Sequence, residues 1–141
     1  MGKSLDALAS YFRPIVDDFL GEGEAAIGEP IEVIDTDRTP AEQQVKLSQG
    51  VSWTTNSKHL PQPPEGKSEA VDVCPKSYLT MKGWNPSGEK WAILGAIGER
   101  LGMLWGGRWT HVNNGRGDPG HFEFIHPTQQ PALGVDEATQ V

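Results

Sequence analysis

A single cysteine, Cys74, occurs in 141 residues, so no intramolecular disulfide can staple the fold. It sits in "AVDVCP", apolar company that marks a buried, inert thiol. No apolar run approaches the length of a membrane span, which argues against a spanning protein. The N-terminal "MGKSLDALASYFRPIVDDFL" carries acids where a secretory signal would be continuously apolar. The expectation is a cytoplasmic protein without a signal peptide, for which work outside the membrane needs another export route. Cations are also scarce: 12 Lys and Arg against 19 Asp and Glu leave a net charge of −7. That balance disfavours a nucleic-acid binder, which needs a basic footprint, and gives no adhesion to anionic membranes. Internal repeats are lacking as well.

What is present suffices for one domain with a real core, hydrophobic residues making up 36% with five Trp among them. The reading is a domain over residues 1–126 and a polar tail over 127–141. "SLDALASYFRPIVDDFLGEGEAA" has helical spacing, with Ser4 as N-cap and Pro14 kinking or dividing the helix. "PIEVIDTD" reads as a strand with Ile31, Val33 and Asp35 on one face. In "RTPAEQQVKLSQG", Thr39 caps a helix, Pro40 begins it, Glu42 completes a capping box and Gly50 ends it. Residues 60–69 are a Pro-rich loop, and "EAVDV" is a strand. "SGEKWAILGAIGERLGML" predicts a helix with Trp91, Leu94, Ile97, Leu101 and Leu104 toward the core. "WGGRW" and "NNGRGDPG" are connections before a last strand, "HFEFI". The fold class is α+β: a small antiparallel sheet with helices packed on one side.

The chemistry lies in two strands. In "HFEFI", His121 and Glu123 share a face while Phe122 and Phe124 anchor the other. In "EAVDV", Asp72 opposes Val71 and Val73 in the same way. With His59 at the mouth of the loop, two His and one carboxylate make a catalytic zinc set that leaves a fourth position open. Asp118, three residues before His121, is placed to act as general base. Arg38, at the strand–helix junction, can offer its guanidinium to an oxyanion or a substrate carboxylate. Spacing alone favours a plain surface pair of His59 and Asp72, a core-edge His121 and a routine Asp-Pro-Gly turn. Arg38 then is a surface cation and Glu42 only a cap. His111 and His126 receive no role.

The combination "DRTPAEQQ", "SKHL…AVDV" and "WGGRW…DPGHFEF" resembles the zinc D-Ala-D-Ala carboxypeptidase and L-alanyl-D-glutamate endopeptidase family. The similarity covers roughly residues 31–125 and is greatest to the endopeptidase branch used by phage endolysins. It implies Zn2+ on His59, Asp72 and His121, Asp118 as base, and Arg38 as substrate or oxyanion contact. Ser57 matches the family serine and would brace the ligand loop. Glu123 is assigned similar support, and Gln43 matches the helix position near the arginine. Three features depart from the family. The His-to-Asp segment is longer, Arg108 stands where relatives carry an acid, and Gly120 stands where a proline is common.

The resemblance implies cleavage of the L-alanyl-D-glutamate bond of the peptidoglycan stem peptide, with the 60–69 loop shaping the cleft. It further implies a monomer that accumulates in the producing cell, is released with a holin, and acts on the wall. A D,D-carboxypeptidase of the same fold, or a non-catalytic zinc or peptidoglycan-binding module, is the alternative.

Overall fold

A computed structural model describes residues 2–49, 57–80, 83–84 and 88–127. Gly50, read as the end of a helix, and the tail beyond Pro127 lie outside the described residues.

Pro14 divides the N-terminal apolar segment, because its ring fits only the first turn of a helix. Ser4 therefore caps just a short 3-10 turn, Leu5–Ala7, its hydroxyl accepting from the Asp6 amide at 3.1 Å. Helix α1 (Arg13–Ile27) begins at the proline and stops at Gly28, whose φ of 73° reverses the chain. Strand β1 (Ile31–Asp35) leads to α2 (Pro40–Ser48). The expected capping box is there: the Glu42 amide donates to Thr39 Oγ1 at 3.1 Å, and the Thr39 amide to Glu42 Oε1 at 2.9 Å. Strand β2 (Ala70–Pro75), a hairpin of β3 (Leu79–Thr80) and β4 (Gly83–Trp84), and helix α3 (Lys90–Arg100) follow. Strands β5 (Met103–Trp105) and β6 (His121–Phe124) end the order. No described helix is long and apolar enough to cross a membrane.

The main sheet runs β1-β2-β6-β5, antiparallel throughout, and makes the fold α+β as expected. Helices α1 and α3 cover one face. Phe12, at the N-cap of α1, and Val16 and Phe19 on the helix meet Leu94, Val71, Val73, Met103 and Phe122 in the core. Phe19 and Phe122 are both fully buried, with ring centroids 4.5 Å apart. Alternation along β2 and β6 leaves Asp72, His121 and Glu123 on the opposite face.

Two elements differ from the sequence reading. The last helix stops at Arg100, Gly102 turns the chain at a φ of +92°, and an edge strand follows. Leu104 consequently pairs with Glu123 rather than facing the core, while Met103 and Trp105 pack inward. On β1 a bulge intervenes: Val33 pairs with Val73, but Asp35 pairs with Asp72. The extra residue moves Asp35 off the Val33 face and onto the face of Asp72.

The 60–69 excursion is folded on itself, the Gln62 amide donating to Lys67 O at 3.0 Å and Gln62 Nε2 to Leu60 O at 2.9 Å. It is tied to the N-terminal segment: the Ser10 amide donates to Glu65 Oε1 at 2.7 Å, and Ser68 bonds both Ala7 and Ala9.

Helix α3 approaches the sheet through Gly98, where a Cβ would stand 2.4 Å from the Phe122 ring. Gly98→Ala is expected to lower stability by about 1–3 kcal/mol, read by urea unfolding, through overpacking against Phe122.

Candidate metal centre

Sheet register builds the site. Asp35 pairs with Asp72 and Asp72 with His121, setting three polar residues in a row across β1, β2 and β6. His59 joins the row from the loop before the excursion. Its carbonyl accepts from the Arg38 amide at 2.9 Å, and its amide donates to Ser57 Oγ at 3.1 Å. Ser57 thus holds the His59 backbone.

The hydrogen bonds assign the protons. His59 Nδ1 lies 2.7 Å from Thr36 O, an atom that can only accept, so Nδ1 carries hydrogen and in the neutral ring Nε2 is bare. Ser68 Oγ also donates to Thr36 O, at 2.7 Å, fixing that carbonyl. The bare Nε2 is buried without a hydrogen-bond partner, 3.2 Å from Asp72 Oδ2. His121 repeats the pattern: Nε2 lies 2.8 Å from Glu123 Oε1, and Nδ1 lies 2.9 Å from Asp72 Oδ1. Asp72 and buried Glu123 together favour a hydrogen on each nitrogen of this ring; a metal ion would replace the one on Nδ1 while Glu123 keeps the one on Nε2. A lone pair held against a carboxylate oxygen repels it unless a positive centre, a proton or a metal ion, lies between.

Charge leads to the same conclusion. Arg38 is the guanidinium that faces Asp35, Asp72 and Asp118, and Glu123 adds a fourth carboxylate beside His121. Burial raises the Asp72 carboxyl, but His59 and His121 outweigh it and hold Asp72 well below its ordinary range. Burial opposes a proton on His121, yet hydrogen bonds to Asp72 and Glu123 raise its affinity well above the usual value. Asp118 is pushed up to about 6, first by burial and then by the charge of Asp72, against the pull of His121, His59 and Arg38. A divalent cation supplies what this cluster lacks. The ligand atoms of His59, Asp72 and His121 lie within 4.8 Å of one another. Two nitrogens and one oxygen suit zinc, and three protein ligands leave a position open. Each imidazole's other nitrogen is already held by an acceptor, as in established metal sites.

Asp118 is placed by backbone packing. Its amide donates to Gly106 O at 2.8 Å, and its carbonyl accepts from His121 at 3.1 Å. A Cβ on Gly106 would come within 2.6 Å of Asp118 O, so only glycine admits this approach. Trp105 Nε1 donates to Pro119 O at 2.8 Å and secures the turn. Buried Trp109 covers His121, ring centroids 4.9 Å apart. Arg108, the departure from the family pattern, turns to α3 instead, its Nη2 donating to Glu99 Oε1 at 2.8 Å.

Arg38 is 7% exposed. Its Nη1 donates to Gln43 Oε1 at 2.7 Å, its Nη2 bonds Asp35 Oδ2, and the same Nη2 stands 3.8 Å from Asp72 Oδ2. The structure therefore brings together His59, Asp72 and His121 with Ser57, Arg38, Gln43 and Glu123, and sets Asp118 in their field. Sequence reading missed Asp35, Thr36, Ser68, Trp105 and Trp109. Only the aromatics of "WGGRW" carried a signal, their glycine neighbours marking a close approach. His126, given no role, bonds buried Glu69 at 2.8 Å instead.

The sequence model described as D-alanyl-D-alanine carboxypeptidase matches residues 52–124, which include His59, Asp72, Asp118 and His121. This chain belongs to that family. Membership makes it a zinc-dependent metallopeptidase of peptidoglycan peptides. Its fold is similar to the Serratia marcescens L-Ala D-Glu endopeptidase ChiX, at 20% identity and a TM-score of 0.60 over 86% of this chain and 83% of that one. It is also similar to VanYB in complex with D-alanine-D-alanine, at 18% identity and a TM-score of 0.52, covering 84% of this chain and 72% of the other. A third likeness is to the Zn(II) complex of the D,D-pentapeptidase VanY E175A mutant, at 17% identity and a TM-score of 0.52, covering 86% and 75%. No curated protein matches.

The raised Asp118 value has a signed consequence. Without zinc, the ionised carboxylate costs folding stability as pH rises from the ordinary range near 4 through about 6. Zinc-free Asp118→Asn should melt a few degrees higher than wild type at pH 7, the gap closing toward pH 4. Thermal unfolding followed by circular dichroism checks both the sign and the pH trend.

Proposed function

We propose that the chain is an endopeptidase that hydrolyses the L-alanyl-D-glutamate bond of the peptidoglycan stem peptide, acting as a phage endolysin. The observation that carries a peptidase reading is the open three-ligand centre with a carboxylate, Asp118, that is not one of the ligands. A closed structural site would want a fourth protein ligand instead.

Zinc, when bound, supplies Lewis-acid chemistry, polarising a carbonyl and making water acidic near neutral pH. The chain does the rest. Asp118 takes the proton of the attacking water and delivers it to the leaving amine. Arg38 adds positive potential from behind Asp72 to the oxygen on which charge develops. Glu123 and Thr36 keep the imidazoles in the tautomers that point bare nitrogens inward.

The endopeptidase reading is supported by the fold likeness to ChiX and by the state of Arg38. A D,D-carboxypeptidase needs a cation free to receive a terminal carboxylate, whereas Arg38 is buried and bound to Asp35 and Gln43. The family description and the VanY likenesses favour the second reading, removal of a terminal D-Ala. Under the endolysin reading, the protein accumulates in the producing cell and meets the wall after release.

Digestion of purified muropeptides followed by mass spectrometry decides the bond. A cut between L-Ala and D-Glu is expected; release of free D-Ala alone would establish the carboxypeptidase. Asp118→Ala should retain zinc and lower the rate by about 10²–10⁴-fold. Wild-type turnover in that variant would remove Asp118 from the mechanism.

A further inference from the structure

Asp35 is a buried carboxylate, 4% exposed, with no part in the proposed reaction. It is on the site face because the β1 bulge puts it opposite Asp72. One guanidinium nitrogen serves both carboxylates unequally: Arg38 Nη2 bonds Asp35 Oδ2 and stands 3.8 Å from Asp72 Oδ2. That Asp72 oxygen is also the one facing His59 Nε2, at 3.2 Å. Arg38 is held on its other side by Gln43, so Asp35 and Gln43 together set its distance from Asp72.

A buried guanidinium this close to a carboxylate is strongly attracted to it, because little water screens the pair. Remove the Asp35 charge and the nearest anionic partner for Arg38 is Asp72. A short move would put Nη2 on Oδ2 in hydrogen-bond contact, occupying the lone pairs a metal needs. We infer that Asp35 is a positioning residue for the metal centre: it anchors Arg38 and so keeps Asp72 Oδ2 available as a ligand. This rests on the zinc-site reading above. Asp35 acts here through Arg38, which separates it from a general negative charge near a cation.

The test is the zinc dissociation constant of the full chain, measured by competition with a chromogenic chelator. Wild type, Asp35→Asn, Arg38→Gln and the double variant are compared, with circular dichroism melts as a folding control. Asp35→Asn should weaken zinc binding roughly 10- to 100-fold in the wild-type background. In the Arg38→Gln background the same change should stay within about 2-fold, since no guanidinium remains to move. Equal weakening in both backgrounds would mean that Asp35 acts by charge alone, and an unchanged constant would mean that it does not act on the metal; either overturns the inference. If Asp35→Asn cannot be purified folded, Asp35→Ser goes through the same two backgrounds under the same criteria. A wild-type chain that binds no zinc would instead defeat the metal-centre reading itself, a failure distinct from neutrality of the Asp35 variant.

Discussion

Asp72 stands between two imidazoles whose outward nitrogens are already bonded, so each carboxylate oxygen faces a ring nitrogen left to hold a proton or a metal ion. Lone pair against lone pair is repulsive, and the cluster holds together only around positive charge. Much of the chain exists to impose this arrangement. Thr36 and Glu123 fix the tautomers, Ser68 fixes Thr36, and Ser57 fixes the loop of His59. The apolar layer beneath serves the same end. Phe122, Val71 and Val73 lock β2 and β6 into the one register that sets Asp72 beside His121. A one-residue slip would turn these side chains into the core.

The reacting groups depend on a second constraint, the close packing of two glycine-containing turns. Gly106 lies against the Asp118 carbonyl, and Trp105 holds the next peptide. Asp118 is thereby fixed without being a ligand, close enough for Asp72 to raise its pKa. The long excursion between His59 and Asp72 is secured through Glu65 and Ser68 to Ser10, Ala7 and Ala9 of the N-terminal segment. Its two ends converge on the site while its middle bonds elsewhere.

Much of this was legible in the sequence, for a physical reason. Alternation in "EAVDV" and "HFEFI" separates ligand from core positions directly, and the Thr39–Glu42 box announces its own helix. The bulge at β1 was not legible, because one extra residue leaves no mark in composition and reverses the face of Asp35. Thr36 contributes only its carbonyl, which any residue would carry. Strand β5 was hidden as well: "GERLGML" continues a helical pattern until Gly102 turns the chain. The ligands could be read because their side chains are chemically distinctive. The groups that orient them could not, since their roles arise from register and backbone.

The central claim is a zinc centre made by His59, Asp72 and His121 with a position left open. Zinc K-edge X-ray absorption on the zinc-loaded chain tests it most directly. The expected spectrum has one tightly held zinc, two imidazole nitrogens and the remaining first-shell scatterers all oxygen, with imidazole scattering reduced in His59→Ala. Sulfur in the first shell, or a spectrum unchanged by His59→Ala, would contradict it.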